Sequence, residues 1–258
     1  MIHSTAIISP EAQIADDVEV GPYAIIEGAV KLSAGVRVLA HAQLLGDVEV
    51  GEGTLVGRGA IIGEEPQDFS FDPAAASGIR IGRKNRIREY CTIHRGSKEG
   101  TMTVIGDDNF LMGGVHLAHD VRLGNENVIA NNCLLGGHVQ VGEKVFLGGG
   151  AVFHQQIRLG DGCIVQGNGA ISKDIPPYCV AAKLNELHGL NVIGLRRAGA
   201  DGDARKELKR AYSLVFRGDQ PFGEVLAKLD AESWGPLAAN FFDFLRAESK
   251  KGICFPST

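Results

Sequence analysis

Large aromatic side chains and long apolar runs are both scarce in this sequence. Only 6% of its 258 residues are Phe, Trp or Tyr, and there is a single Trp. This composition argues against a bulky globular core. No apolar run approaches the ~20 residues needed to cross a bilayer, and residues 1–13, MIHSTAIISPEAQ, lack the basic flank and apolar stretch of a signal peptide. We therefore expect no insertion into a membrane.

An excess of positive charge and a cysteine framework are also missing. The formal net charge is −5, which argues against a general nucleic-acid binder. The five cysteines are odd in number and lack the close spacing of metal ligands. We therefore predict a cytoplasmic protein with reduced thiols and no nucleic-acid partner.

Glycine, by contrast, is abundant, with 35 residues, and aliphatic residues recur at every sixth position. The series runs from Ile2 to Ile62, resumes in a new phase from Ile81 to Ile93, and continues in that phase from Ile105 to Ile171. Glycine often follows the aliphatic residue, and a small or β-branched residue often stands four positions after it. Neither an amphipathic helix nor an ordinary strand has this period.

A six-residue unit with two inward positions and a corner glycine is typical of a parallel β-helix. Three units would close one triangular coil of eighteen residues, and the coils would stack at the inter-strand spacing of ~4.8 Å. Proteins with this repeat are left-handed, although the spacing alone does not indicate the hand. We predict an all-β, left-handed parallel β-helix over residues 1–183, followed by a small α-helical domain over 184–258.

Two segments leave the repeat, at residues 63–80 and 94–104. Loops that project from a rigid scaffold commonly carry binding residues. The period of six ends near residue 183. Beyond it, residues 203–218, 221–232 and 236–251 have helical spacing and helical end signals, which predict three helices.

Histidines recur at one place in successive coils. His119 is followed by Asp120, and one and two coils later the equivalent positions lie beside His138 and His154. A neutral histidine oriented by a carboxylate can take a proton from an alcohol. No serine or cysteine lies on this line, so direct transfer to a bound hydroxyl is favoured over a covalent intermediate. Against an Asp120 partnership, adjacent strand residues often point in opposite directions.

Zinc binding is the alternative for the same residues. Three neutral imidazoles, from His119, His138 and His154, are a ligand set that zinc accepts. We favour a metal-free site.

A basic cluster precedes the histidine coils. It gathers cationic side chains within two to three hexads of an otherwise acidic chain: Arg80, Arg83, Lys84, Arg86, Arg88 and Arg95. The cluster is either a solvated face or a dock for an acidic partner or a phosphate. Its position suits a carrier that delivers cargo to the histidines.

An ordered set of motifs resembles the family of acyl-carrier-protein–UDP-N-acetylglucosamine O-acyltransferases. The motifs are PQDF at 66–69, NRIREYCTIHRG at 85–96, HLAHD at 116–120, GGHV at 136–139, FHQ at 153–155 and GLNVIGLRR at 189–197. The resemblance implies transfer of an (R)-3-hydroxyacyl group to the sugar 3-hydroxyl, the first step of lipid A biosynthesis. It also implies a homotrimer with active sites between the β-helices, and no cofactor beyond the phosphopantetheine of acyl carrier protein.

The resemblance assigns roles to individual residues. It implies that His119 is the general base, Asp120 its orienting partner and the Gly137 amide the oxyanion donor. It makes Gly167 the position that limits acyl length. The implied substrate contacts are Gln67, Asp68, His94, His116, His138, His154, Gln155, Asn191 and Arg197, and the implied carrier-protein dock is Arg80, Arg83, Lys84, Arg86 and Arg88.

Three positions depart from the family pattern. Ser70 stands where the family usually has lysine, Ile193 stands where it often has glutamate, and Ala198 stands at the third residue of the family's basic run. Because these positions follow the expected sugar-nucleotide surface, two alternatives stay open. One is the same chemistry on a 3-amino sugar nucleotide, and the other is a catalytically silent subunit that binds a nucleotide sugar or carrier protein.

Overall fold

Strand pairing repeats at an interval of one coil along the chain. The computed structural model describes residues 1–218, 222–228 and 233–256. Ile7 pairs in parallel with Ile25, and Ile25 pairs with Gln43. The predicted coil of eighteen residues is therefore present.

Within the described residues, the strands form three sheets that make up the faces of a prism. The first face has nine strands: Ile7–Ile8, Ile25–Glu27, Gln43–Leu45, Ile61–Glu64, Thr92–His94, His116–Leu117, Leu134–Leu135, Val152–Phe153 and Ala170–Ile171. The second face has eight: Gln13–Ile14, Lys31–Leu32, Asp47–Val50, Gly78–Ile81, Met102–Ile105, Arg122–Leu123, Gln140–Val141 and Arg158–Leu159. The third has eleven: Glu19–Val20, Arg37–Val38, Leu55–Val56, Arg86–Ile87, Phe110–Leu111, Val128–Ile129, Phe146–Leu147, Ile164–Val165, Cys179–Ala182, Glu186–Leu190 and Phe255–Pro256.

The core is a column of the repeated aliphatic residues. Leu117 and Leu135 are fully buried one above the other, and small residues such as Val121 complete each layer. Buried asparagines form a ladder inside the prism. Asn109 donates its side-chain amide to Asn85 Oδ1 at 3.0 Å and accepts the Asn127 backbone N–H at 2.9 Å. The ladder satisfies backbone groups at a corner that water does not reach.

The two excursions are shorter than predicted, because strands extend into them. Gly78–Ile81 pairs with both Asp47–Val50 and Met102–Ile105. Residues 65–77 and 95–101 remain outside the strands. Both segments lie between coils just below the histidine coils, so they can reach the side chains there.

The coil pattern ends in an antiparallel strand pair. Cys179–Ala182 continues the third face in parallel, whereas Glu186–Leu190 pairs with it in antiparallel register. The predicted boundary at 183/184 falls between these two strands. Four helices follow in the described residues: α1 (Val192–Arg197), α2 (Gly202–Phe216), α3 (Phe222–Lys228) and α4 (Pro236–Arg246). None of the helices that the structure describes has the length and hydropathy needed to span a membrane.

Two helix predictions need correction or restriction. The helix predicted over 236–251 ends at Arg246, because the chain becomes extended at Ala247 and returns to the last coil. There Cys254 N donates to Asp174 O at 2.8 Å. Of the helix predicted over 221–232, the structure has Phe222–Lys228, and residues 221 and 229–232 lie outside the described residues.

Candidate active site

His119 and Asp120 lie together at the corner between the first and second faces. Asp120 has a positive φ of 60°, so the pair occupies a turn and the alternation of a strand does not apply. His119 Nδ1 lies 2.8 Å from Asp120 Oδ2. This bond leaves Nε2 free for a reacting group. The adjacent residues are therefore partners.

Asp120 is held by the second excursion. Its Oδ2 also accepts the Ser97 backbone N–H at 3.0 Å and the Ser97 hydroxyl at 2.6 Å. Its own N–H donates to Thr103 Oγ1 at 2.8 Å. Burial opposes ionisation of this carboxyl, but the hydrogen bonds from His119 and Ser97 outweigh it and hold the pKa of Asp120 well below its usual range. The group is a fixed carboxylate at neutral pH.

His138 completes a cluster around this carboxylate. Its ring packs edge-on against His119 with centroids 5.1 Å apart, and its Nε2 lies 3.7 Å from Asp120 Oδ2. Burial lowers the pKa of His138, although the charge of Asp120 opposes that shift. Neutral His138 is thus a hydrogen-bonding group beside the pair.

In the part of the chain that the structure describes, the close set of potential metal ligands is His119, Asp120 and His138. The zinc alternative expected His154 in that set, and the structure puts Asp120 there in its place. Zinc would need ligand distances of ~2.0–2.2 Å, which would displace the existing hydrogen bonds to Asp120. This geometry disfavours the zinc alternative.

Gly137 lies one coil beyond His119, against the free edge of the imidazole. A β-carbon there would lie 2.5 Å from His119 Cε1 and Nε2, so any side chain at this position would have to displace the imidazole. Gly137 is buried, and its N–H donates no hydrogen bond to any described residue. The N–H groups of His119 and Gln155, at the same corner one coil away on either side, likewise donate no hydrogen bond to a described residue, so the Gly137 amide is available to a ligand without requiring one.

A second histidine pair lies behind the first. His94 and His116 pack edge-on with centroids 4.9 Å apart, and His116 Nδ1 lies 2.8 Å from Thr92 Oγ1. Burial and, to a smaller extent, the charge of His94 lower the pKa of His116 to about 4. Burial also lowers the pKa of His94. Both rings are therefore neutral at physiological pH.

His154 lies apart from the cluster, in an apolar groove of about 400 Å³ on the first face that also includes His116, Leu134 and Val152. Its Nδ1 lies 3.1 Å from Gln155 O. The expected line of three histidines therefore holds for His119 and His138 only. His138 directly follows the position that repeats His119 at eighteen residues, whereas His154 precedes its equivalent position and comes directly after the first-face strand Val152–Phe153. Gln155, exposed two coils above His119, keeps the register.

Gly167 lies on the next corner, between the third and first faces, and is exposed. A β-carbon there would meet Gly149 O at 3.2 Å and would otherwise point into open space. A longer side chain at this position would point outward but would press its β-carbon closely against Gly149 O.

The first excursion presents Gln67 and Asp68 to solvent. Ser70 donates both its N–H and its hydroxyl to Asp68 Oδ1, each at 2.8 Å. Hydrogen bonds from Ser70 lower the pKa of Asp68, and the charge of His119 contributes to the shift. The loop thus brings Asp68 within electrostatic range of His119. Ser70 supplies no cation, but it fixes the Asp68 carboxylate.

The predicted contacts in α1 have different surroundings. Asn191 is the N-cap of this helix: its Oδ1 accepts from Gly194 N at 2.8 Å, and its Nδ2 donates to Gly162 O at 2.9 Å. Both ends of the amide are thus engaged within the chain, so a substrate contact would compete with the cap. Arg197 is exposed in the last turn, and Ile193 is 65% exposed in the first.

The basic cluster is split by the fold. Arg80 binds Asp47 and Glu49 on the second face, and Arg83 binds Asp107. These two guanidinium groups therefore connect coils. The other three predicted dock residues line a groove of about 1130 Å³ on the third face, and they are Lys84, Arg86 and Arg88. Arg95 reaches back to the first excursion, where it donates to Ala75 O at 2.8 Å.

Sequence reasoning missed Ser97, Thr103 and Thr92. The histidine line includes only positions related to His119 by whole coils. Ser97 is not on that line, because it enters the site from an excursion. Its hydroxyl contacts the carboxylate and not the imidazole, so it does not form a nucleophile–base pair. The available signal was the position of Ser97 three residues after His94, inside the predicted second excursion.

The fold and the site together define a class. A parallel β-helix of hexapeptide coils with a histidine–carboxylate pair at one corner is the arrangement of a hexapeptide-repeat transferase. In agreement, residues 102–137 match the family described as bacterial transferase hexapeptide (six repeats). Residues 174–254 match the family described as UDP N-acetylglucosamine O-acyltransferase, domain 2.

Relatives along the whole chain make the assignment specific. The chain is 43% identical, over 98% of both sequences, to an acyl-(acyl-carrier-protein)–UDP-N-acetylglucosamine O-acyltransferase from Thermodesulfovibrio yellowstonii. It is 36% identical to one from Synechocystis sp., over 79% of this chain and 74% of that protein. The chain belongs to this family.

Solved structures agree with the assignment. The UDP-N-acetylglucosamine acyltransferase from Bacteroides fragilis has a TM-score of 0.93 at 34% identity, covering 98% of this chain and 99% of that chain. The one from Campylobacter jejuni has a TM-score of 0.93 at 35% identity and covers both chains fully. The predicted family is confirmed, and so is the predicted left-handed parallel β-helix with a small helical C-terminus.

Proposed function

We propose that this protein transfers an acyl group from acyl carrier protein to UDP-N-acetylglucosamine, as the names of its relatives describe. In its finer form, the proposal is transfer of an (R)-3-hydroxyacyl group to the sugar 3-hydroxyl, the first step of lipid A biosynthesis. The observation that carries it is the 2.8 Å bond between His119 and Asp120, with the unpaired Gly137 amide against the same imidazole.

In the proposed reaction, one proton moves from the sugar hydroxyl to His119 and then from His119 to the leaving thiolate. His119 Nε2 takes the proton of the sugar hydroxyl as its oxygen attacks the thioester carbonyl carbon. The carbonyl oxygen becomes an oxyanion that the Gly137 N–H stabilises. The C–S bond then breaks, and the leaving thiolate of the carrier recovers the proton from His119. Asp120 stabilises the imidazolium between these steps.

No cofactor enters this scheme, because the thioester arrives on the phosphopantetheine of acyl carrier protein. For the carrier dock, the proposal keeps the groove residues Lys84, Arg86 and Arg88. A basic groove attracts an acidic carrier. Arg80 and Arg83 are left out because they do not line this groove and already bind carboxylates of this chain; Arg88 lines the groove and is kept, although Glu89 binds it at 2.9 Å. Five free, buried cysteines support a reducing compartment, and we retain a cytoplasmic location as a proposal.

We further propose a homotrimer with its sites between β-helices. Asp68, His94, His116, His138 and His154 would then contact substrate from one open surface. A single β-helix offers no enclosed pocket here: the apolar groove beside His154 is open to solvent. A neighbouring copy would cover that groove and form a channel for the acyl chain.

The two alternatives are less well supported. The relatives are named O-acyltransferases, which favours a hydroxyl over a 3-amino acceptor. The ordered histidine–carboxylate pair argues against a silent binding subunit. Comparing kcat/KM for 3-hydroxy and 3-amino sugar nucleotides decides between the acceptors, and no turnover of either would support the silent subunit.

The central test is His119→Ala, assayed by release of the carrier thiol. General-base catalysis contributes about 10²–10⁴-fold. We expect kcat to fall by that factor, with binding of donor and acceptor nearly intact. Chelators should leave the wild-type rate unchanged.

His41→Ala is the matched control, since His41 lies exposed at a different corner and contacts Tyr23. The control should retain wild-type activity. If His119→Ala keeps more than about a tenth of the wild-type kcat, the loss is smaller than general-base catalysis provides. That result would refute the assigned role. A metal requirement for activity would do the same.

A further inference from the structure

Ser97 is the residue of the second excursion that donates both its backbone and its side chain to Asp120, although the Thr101 side chain also acts on that carboxyl and Lys98 acts on His138. Ser97 donates its N–H and its hydroxyl to Asp120 Oδ2, at 3.0 and 2.6 Å. The same oxygen is the partner of His119 Nδ1 at 2.8 Å. Three donors therefore share this carboxylate oxygen: the Ser97 N–H, the Ser97 hydroxyl and His119 Nδ1. Of these, the Ser97 hydroxyl can be removed by mutation while the imidazole stays in place.

The excursion itself is firmly held near Ser97. The Ser77 hydroxyl donates to Gly96 O at 2.6 Å, and Lys98 N donates to Thr101 Oγ1 at 3.0 Å. On the other side, Thr103 donates to His94 O at 2.7 Å and accepts the Asp120 N–H. The position of Ser97 relative to the carboxylate is thus determined by the fold and needs no ligand.

We propose that Ser97 is a positioning residue that fixes the Asp120 carboxylate and moderates its pull on the His119 imidazole. This inference rests on the proposed role of His119 as general base. The physical argument is competition for one oxygen. A hydroxyl donor at 2.6 Å withdraws part of the negative charge that would otherwise stabilise the imidazolium. Ser97 thereby keeps His119 less basic and in one orientation.

Other charged or titratable groups also face the pair, and the test must leave them unchanged. They are His138, whose ring contacts His119, His94 and Asp68, which interact with it electrostatically, and Lys98 and Lys250, which act on His138. None of them donates a hydrogen bond to Asp120 in place of Ser97. Removing the Ser97 hydroxyl therefore changes one interaction with the carboxylate.

The experiment compares Ser97→Ala, Ser97→Thr and Ser77→Ala in the full-length protein. For Ser97→Ala we expect the acidic limb of the kcat/KM profile to move to higher pH by about half a unit or more, because a freer carboxylate favours protonated His119. At the pH optimum, kcat should fall on the order of 10-fold from looser orientation. Ser97→Thr keeps the hydroxyl and should restore both values.

Ser77→Ala is the structural control. It removes one of the bonds that hold Gly96, next to Ser97, but keeps the Ser97 hydroxyl, so it should lower the melting temperature and move the pH profile much less than Ser97→Ala does. A Ser97→Ala profile that does not move, or one that moves equally in Ser77→Ala, overturns the proposal.

NMR titration of the free protein separates this proposal from the proposed function. The His119 imidazole signal, assigned with His119→Ala, should titrate at higher pH in Ser97→Ala than in wild type. This readout needs no turnover. If the wild type has no acyl-transfer activity and the His119 titration still moves, the function is wrong and the positioning role stands; an unmoved titration rejects the positioning role.

Discussion

The chemistry at the residue scale depends on a corner of the coil. Asp120 and His138 both have φ near 60°, a conformation that Asp tolerates better than β-branched residues do. In a strand, side chains of neighbouring residues point to opposite faces. At this corner Asp120 has a positive φ, so the chain turns and the side chains of His119 and Asp120 point toward each other. The motif is therefore functional only where the coil turns.

Gly137→Ala tests the packing against this pair. A β-carbon 2.5 Å from His119 Nε2 must push the ring away from its position, and misplacement of about 1 Å can cost ~10²-fold. We expect a fall in kcat of that order with a small change in melting temperature, measured by the thiol-release assay and thermal unfolding. Gly202→Ala is the control, since a β-carbon there meets nothing within 4 Å. Equal activity of the two variants would contradict the prediction.

Gly167→Met tests the implied limit on acyl length. The exposed corner at Gly167 leaves room for a long chain, and a methionine would fill that room. Each methylene excluded from an apolar pocket loses about 0.8 kcal/mol. We expect kcat/KM to shift toward donors shorter by several carbons, measured across a series of hydroxyacyl carriers. An unchanged donor profile would place the limit elsewhere.

The individual coil is the unit at the element scale. Each corner leaves backbone amides inside the prism, and the ladder of Asn85, Asn109 and Asn127 satisfies those of one corner. Asn127 Oδ1 accepts Val145 N at 2.8 Å, while its own Nδ2 has no partner within the described chain. The ladder therefore ends at Asn127. Above it, Cys163 occupies the same inward position and is fully buried.

Asn109→Ala should destabilise the β-helix more than an exposed substitution does. It removes the acceptor of the Asn127 N–H and leaves that buried donor unpaired, which costs about 1–3 kcal/mol. We expect the free energy of unfolding, measured by urea denaturation, to fall by at least that amount. Asn131→Ala, at an exposed position of a neighbouring coil, is the control. If both variants unfold at the same midpoint, the ladder does not contribute to stability.

At the scale of the whole molecule, the three faces differ in what they expose. Leu134 and Val152 on the first face are 45% and 40% exposed, and Phe146 on the third is 41% exposed. The second face presents polar outward residues at the same level, such as Arg122 and Gln140. Exposed apolar side chains along two faces are typical of a surface that another chain covers.

Phe146→Glu tests the proposed trimer. A charge at the exposed apolar position of Phe146 cannot be buried without a partner, so we expect dissociation in sedimentation experiments and loss of activity in parallel. Gln140→Glu adds the same charge to the polar second face and should leave both properties unchanged. A wild-type chain that sediments as a fully active monomer would refute the trimer.

The sequence by itself determined the features that depend on a regular period. Spacing by six identified the coil, spacing by eighteen brought Gly137 and Gln155 into register with His119, and the family motifs identified the chemistry. The same arithmetic did not separate His138, which follows its corner position and contacts His119, from His154, which precedes its corner position and lies in the first-face groove.

Only the tertiary structure decided which groups meet across an excursion. Ser97 contacts Asp120, Arg80 binds Asp47 and Asn191 caps a helix, and each contact joins segments separated by a loop or a change of fold. No period relates such segments, since the path of a loop depends on where its ends are held and on which hydrogen bonds it can satisfy. The coils are set by local repetition, whereas the environment of the Asp120 carboxylate is set by a loop that returns to it.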